Sequence, residues 1–292
     1  MTHIPQPIAP MNPAGLDEIA EELFKETPAG NIFKGNTTAR IPDPEHWLFL
    51  EGRQHGSYEY PDLYASLHRL SLTPSVQQAA QQLNLTVANT ALQKDGHLAD
   101  YIGNIQHKPA MDLVIGAGYC PLPPRLFVDF LNEIRAGLGS KNKKVYNAQG
   151  NPIPHDLLQA VWDDITKVQN PYRGEWFDAA FTEKKKDWSI TYHKFNAAGK
   201  LELVTEPLDP DTLMEDKTPG ISLEDWLNNP TPQGLPRKDA QPGSLCYWFP
   251  RAGYVSRFWA VSDWVGLNCV GGPQDSGSGL GVRMCAAGAP KT

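Results

Sequence analysis

Residues 245–285 read LCYWFPRAGYVSRFWAVSDWVGLNCVGGPQDSGSGLGVRMC, and the fold turns on how this stretch is read. Three short apolar segments, 245–249, 257–261 and 280–284, have the alternation and aromatic content of strands. The glycine, serine, asparagine and proline between them have the composition of surface loops. Trp248, Trp259 and Trp264 crowd into a segment with few charges. Aromatic rings beside small polar residues on a rigid frame give contact area at little entropic cost, which suits a binding surface. The core sheet of an ordinary globular domain, with its tryptophans buried, has the same composition.

The order of residues separates the two readings. Pro250-Arg251, Arg257-Phe258 with Ala260, then Leu267, Cys269 and Pro273, then Leu280-Gly281-Val282-Arg283 resembles the C-terminal segment of C-type-lectin-fold domains of the formylglycine-generating-enzyme type. Within that type it is most similar to the variable proteins of diversity-generating retroelements. There, a reverse transcriptase rewrites adenine-derived codons while the framework stays fixed. The resemblance implies a ligand-facing set of Tyr254, Trp259, Val261, Asp263, Trp264, Val265, Asn268, Val270 and Asp275. It implies a framework of Arg257, Phe258, Leu267, Leu280, Gly281, Val282 and Arg283. Phe258 and its framework neighbours are expected buried or paired, with Trp259, Val261, Trp264 and Asn268 sharing an open face.

Composition bounds the remainder. The chain has 292 residues, of which 40% are hydrophobic and 20% charged, enough to bury a core in one large domain or two. Its 25 glycines and 26 prolines favour a loop-rich architecture over a helical bundle. A net charge of −7 argues against a nucleic-acid partner, which needs a basic footprint. Lys184, Lys185 and Lys186 read as a solvated turn. No basic start followed by an apolar run marks a secretory signal, and no apolar stretch approaches membrane-spanning length. Cys120, Cys246, Cys269 and Cys285 lack metal-ligand spacing, so buried free thiols are expected and no metal or cofactor is.

Residues 13–26 have the spacing of a short amphipathic helix, stopped at Thr27-Pro28; it docks on a neighbouring chain or on its own domain. The segment His46-Trp47-Leu48-Phe49-Leu50-Glu51-Gly52, followed by Tyr58 to Leu67, resembles the phage tail collar domain. That resemblance implies a strand, an acid–glycine turn, and a tyrosine-containing loop into a short helix at Tyr60-Pro61-Asp62-Leu63-Tyr64-Ala65. Thr73-Pro74 is a helix start, and residues 75–106 are helix-prone. His97 and His107 read as solvated or capping residues.

A C-terminal domain is expected from about Pro109. Helices are predicted from Pro124 to Gly137 or Gly139 and from about Pro154 to Val168. Strands are predicted at 188–193 and 201–204, joined by a hairpin turn. Asp163-Asp164 and the Asp209/Asp211 pair read as solvated charge rather than acid–base machinery.

These readings predict an α+β protein. Its parts are an N-terminal helix (1–28), a collar-like module (29–72), a helical connector (73–108) and a C-type-lectin-like domain (109–292). The function implied by both resemblances is a non-enzymatic adhesin or receptor-binding protein of a viral tail, made in the cytoplasm and carried on the virion. Its partners would be a host-surface protein or glycan, other tail proteins and further copies of itself, without membrane insertion. Two alternatives stand beside it: a fixed-sequence lectin-fold binding protein of a cell, and an oxidase using Cys269 and Cys285 with copper.

Overall fold

A computed structural model describes residues 41–90, 100–140, 143–196 and 199–288. The helix expected at 13–26 lies outside these, as does His97. The protein is mixed α+β. In chain order, β1 (Trp47–Leu50), β2 (Arg53–His55), β3 (Tyr58–Tyr60) and β4 (Leu63–Ser66) come first. They are followed by α1 (Pro74–Gln82), β5 (Asn89–Thr90), β6 (Tyr101–Ile102), α2 (His107–Gly116), β7 (Cys120–Pro121), α3 (Pro124–Gly139) and α4 (His155–Thr166). Next come β8 (Arg173–Lys184), β9 (Asp187–Phe195), β10 (Leu201–Pro207), β11 (Lys217–Ile221) and α5 (Leu223–Asn228). The chain ends with β12 (Leu245–Trp248), β13 (Val255–Ala260), β14 (Val265–Gly271), β15 (Leu280–Val282) and β16 (Met284–Ala287).

The large sheet has the order β10-β9-β8-β13-β14-β12-β11, with β15 added alongside β8. Side chains alternate between its faces. On one face Phe127 of α3 packs on Phe177 and Phe258 at 4.4 and 5.3 Å between ring centroids, and Leu158, Val161 and Ile165 of α4 join the same core. The opposite face is covered at its β8–β15 end by α1 and α2, whose Val76, Ala79, Leu113 and Val114 pack with Trp176, Leu280 and Val282. Over β13, β14 and β12 that second face carries the half-buried Trp248, Trp259 and Asn268.

Helix starts follow local chemistry. Thr73 Oγ1 accepts the Val76 N–H at 3.4 Å, with Pro74 at the first helical position, and α1 stops before Asn84, whose φ is +54°. Gly137 does not end α3. A Cβ there would lie 2.8 Å from Leu158 and Val145 side chains, so glycine is needed for the close approach of α4.

Four expectations are corrected. Leu63–Ser66 is a strand rather than a helix, because β4 is bracketed by β1 and β16 and both its backbone edges are paired. The ladder β5–β6 occupies part of the expected connector helix. Residues 265–271, read as loop, form β14, hydrogen-bonded to both β13 and β12. Residues 280–284, read as one strand, divide at Arg283. Before it, β15 runs parallel to β8. After it, β16 joins a second sheet, β1-β4-β16-β7, so strands from residues 47–66 and 284–287 share one sheet.

Arg283 sits at that division with 2% of its side chain exposed. It forms a two-pronged pair with Glu175 (3.0 and 2.6 Å) and donates to the carbonyls of Ser66 and Leu67. Arg69 reaches Glu175 and Asp164, and Arg173 reaches Asp164. Asp164, expected in solvent, is therefore buried and paired, whereas Asp163 is at the surface with Lys167. His107 is also buried, its Nε2 2.8 Å from the Phe177 carbonyl.

Candidate binding face

The β13–β14 hairpin turns through residues 261–264, closed by Val261 N–H donating to the Trp264 carbonyl at 3.0 Å. Registers across the sheet set out two rows on the face away from α3. One runs Trp248, Asn268, Arg257, Trp176 and the next runs Cys246, Gly266, Trp259, Gly174. The two glycines make room for indoles. A Cβ on Gly266 would lie 3.0 Å from the Trp248 ring, and one on Gly174 would lie 3.3 Å from the Trp259 ring.

The side chains form two groups. In the first, Arg257 lies between Trp176 (5.4 Å) and Trp259 (4.6 Å), and Trp259 packs on Tyr172 at 5.0 Å. Asp275 Oδ2 accepts from Arg257 Nη1 at 2.6 Å and from the Gly272 N–H at 3.2 Å. Burial pulls the Arg257 guanidinium below its ordinary pKa, and Asp275 opposes that pull. The indole Nε1 of Trp259 is buried with no hydrogen-bond partner among the described residues. In the second group, Trp248 and Trp264 meet at 4.9 Å with planes 58° apart, and the exposed Asp263 immediately precedes Trp264 in the turn.

The loop carrying Asp275 is held from the N-terminal half of the chain. Tyr101 Oη donates to the Gly279 carbonyl at 3.1 Å, and the backbone N–H groups of Asn104 and His107 donate to Gly277 and Pro273. Gly277 and Gly279 lie so close to Tyr172 that a Cβ at either would collide with it.

The structure brings together Trp259, Trp264, Asn268, Asp263 and Asp275, with Val261 in the same hairpin. Three expected ligand-facing residues lie elsewhere. Val270 is 7% exposed. Val265 packs against the α3-side core, because the period of two places it with Leu267 rather than Asn268. Tyr254 precedes β13, about 20 Å of strand away from Trp264. The framework residues Arg257, Phe258, Leu267, Leu280, Gly281, Val282 and Arg283 are all buried. Sequence reasoning passed over Tyr172, whose only signal was an aromatic residue just before β8. It noted Trp248 without assigning it to the face.

Cys269 and Cys285 lie in different sheets, and all four cysteines are buried and free. Burial pushes the thiols of Cys120, Cys246 and Cys269 up, away from the thiolate form that nucleophilic or metal-binding chemistry uses. No group of three or more His, Cys, Asp or Glu converges among the described residues, and no described helix is long and apolar enough to cross a membrane. A separate cleft of about 510 Å³ lies at the β9–β10 edge, lined by Trp188, Pro207, Leu208, Pro210 and Met214. Comparison with protein-family models, curated proteins and solved structures finds no match to this chain.

Proposed function

We propose that this chain is a ligand-binding protein whose contacts are made by the face carrying Trp248, Trp259, Trp264, Tyr172, Asp263, Asn268 and Asp275. The observation that carries the reading is four large aromatic side chains, each only partly buried, grouped at one sheet face whose other side is a packed core. Apolar groups left open together mark partner sites. Glycines beneath the rings and a pinned loop beside them give the rigidity that lowers the entropic cost of binding.

In this proposal the fold is of the C-type-lectin type and the protein is an adhesin or receptor-binding protein of a viral tail, with the collar-like segment joining it to other tail proteins. Its ligand is on the host surface, and several copies acting together add avidity to a modest single-site affinity. Retroelement diversification fits the separation of open from buried positions, since surface exchanges typically change stability by about 0.5 kcal/mol or less and core exchanges by several.

The neighbouring DNA tests the proposal. A near-copy of the tract encoding residues 250–283 is expected beside a reverse-transcriptase gene. Differences should fall at template adenines within the codons of Trp259, Val261, Asp263, Trp264, Asn268 and Asp275. The codons of Phe258, Leu267, Gly281 and Arg283 should match. Absence of a template, with an invariant tract in sibling isolates, would leave a fixed-sequence binding protein.

A further inference from the structure

We infer that the corner formed by Trp248, Trp264 and Asp263 takes a side-chain cation, the ammonium of lysine or the guanidinium of arginine, presented by a partner protein. The inference rests on the proposed binding role of this face and names the chemistry of what it binds.

The first ground is a repeated set of side chains. Within the fold, two tryptophans and an aspartate hold a guanidinium: Trp176 and Trp259 flank Arg257, and Asp275 pairs with it. A neighbouring part of the same face has two tryptophans meeting at 4.9 Å and an aspartate next in sequence to one of them. No basic side chain of this chain stacks on either ring among the described residues. Arg251, the base closest in sequence to Trp248, is committed to Asp216 at 2.8 Å and to the Phe249 ring.

Charge balance is the second ground. Residues 245–288 contain three arginines and no lysine. Each arginine is neutralised, Arg251 by Asp216, Arg257 by Asp275 and Arg283 by Glu175. Asp263 is exposed and has no ion-pair partner among the described residues. The hairpin therefore carries one uncompensated carboxylate, next in sequence to one of two packed indoles, and indole is the best side-chain platform for a cation. The net charge of −7 favours approach of a basic partner.

The test is a titration of the full chain, followed by the indole N–H resonances of Trp248 and Trp264, each assigned by a Trp→Phe variant. The probes are N-acetyl-lysine methylamide, N-acetyl-arginine methylamide, the neutral isostere N-acetyl-norleucine methylamide, and methyl glucoside. Saturable shifts at both indoles are expected with the two cations, about fivefold tighter than with the isostere. Asp263→Asn, an exposed and isosteric change that leaves the fold intact, should weaken cation binding by about threefold or more, and 0.5 M salt should do likewise. Equal binding of the norleucine probe, an unaltered affinity in Asp263→Asn, or no shift at these indoles would overturn the inference. Shifts with methyl glucoside alone would also overturn it while leaving the face a binding site for sugars. Failure of the binding role itself is read separately, from the template test above.

Discussion

Arg283 and Arg257 each meet a carboxylate at 2.6 Å and each lie over an aromatic ring, Phe130 at 4.9 Å and Trp259 at 4.6 Å. Their settings are opposite. The Arg283–Glu175 pair is 2% exposed on both sides and ties the two sheets together, whereas Asp275 leaves 44% of its side chain in solvent. In the first setting both charges have been taken out of water, so neither tolerates loss of the other. In the second, only the carboxylate is open to water, while Arg257 is itself 9% exposed. The same chemical pair thus serves as a fixed joint in one region and, in the other, as a contact open to water on its carboxylate side alone.

The largest effect is expected from Glu175→Gln. It strands Arg283 in a buried site, leaves Arg69 with Asp164 alone, and should cost about 3–5 kcal/mol in urea unfolding. An equal loss in Asp275→Asn would erase the contrast.

Acid should expose the buried region next. Burial, with the nearby His46, Arg283 and Arg69, lowers the His68 pKa to about 4, and burial lowers that of His107 to about 4 against the bond to the Phe177 carbonyl. Both imidazoles stay neutral in the fold while the unfolded chain protonates at about pH 6.5. Between these values the unfolded state binds more protons, so each group lowers stability as pH falls from about 6.5 to 4, by about 2–3 kcal/mol. Burial pushes Glu175 up, but Arg283 and Arg69 outweigh it and hold the carboxyl below its usual range. Its stabilisation is therefore present above about pH 4.3 and lost as pH falls further. Unfolding measured from pH 7 to 4 should show a shallower decline in His68→Leu than in the parent chain, and an unchanged slope would contradict this setting for His68.

The open face should respond least. Asp275→Asn, which leaves the buried Arg257 facing a neutral amide open to water, is expected to cost about 1–2 kcal/mol, less than Glu175→Gln, and Asn268→Ser about 0.5 kcal/mol. Chemical denaturation with unchanged m-values would check both.

Legibility in the sequence followed the same division. Phe258, Leu280 and Val282 were readable as strand residues because they sit in short apolar segments, whereas Leu267 lay in a stretch read as loop and entered the frame only through the family resemblance. α3 and α4 were readable because their apolar residues recur at helical spacing. β8 was not, since a strand buried on both faces shows no alternation over Arg173–Phe181. β14 was hidden by Gly266, Asn268 and Gly271, which resemble loop residues locally. Here the glycines lie against the Cys246 and Val255 carbonyls, at 2.7 and 3.0 Å from where a Cβ would be. The open face was half legible: Trp259, Trp264 and Asn268 were named for it, but Val265 packs on the other side, Val270 is buried, and Tyr172 reaches it from outside the segment.

By itself, then, the sequence determined the start of α1, the helices α3 and α4 and the apolar segments of the last forty residues, because those depend on spacing within a dozen neighbours. Tertiary structure alone decided that β4 is a strand, that the chain changes sheets at Arg283, and that Trp248 meets Trp264 while Trp259 meets Tyr172. Those outcomes come from partners distant in the chain, as when Arg283 bonds Ser66 and Leu67. Local periodicity carries no record of which distant backbone or charge will complete a residue's pairing.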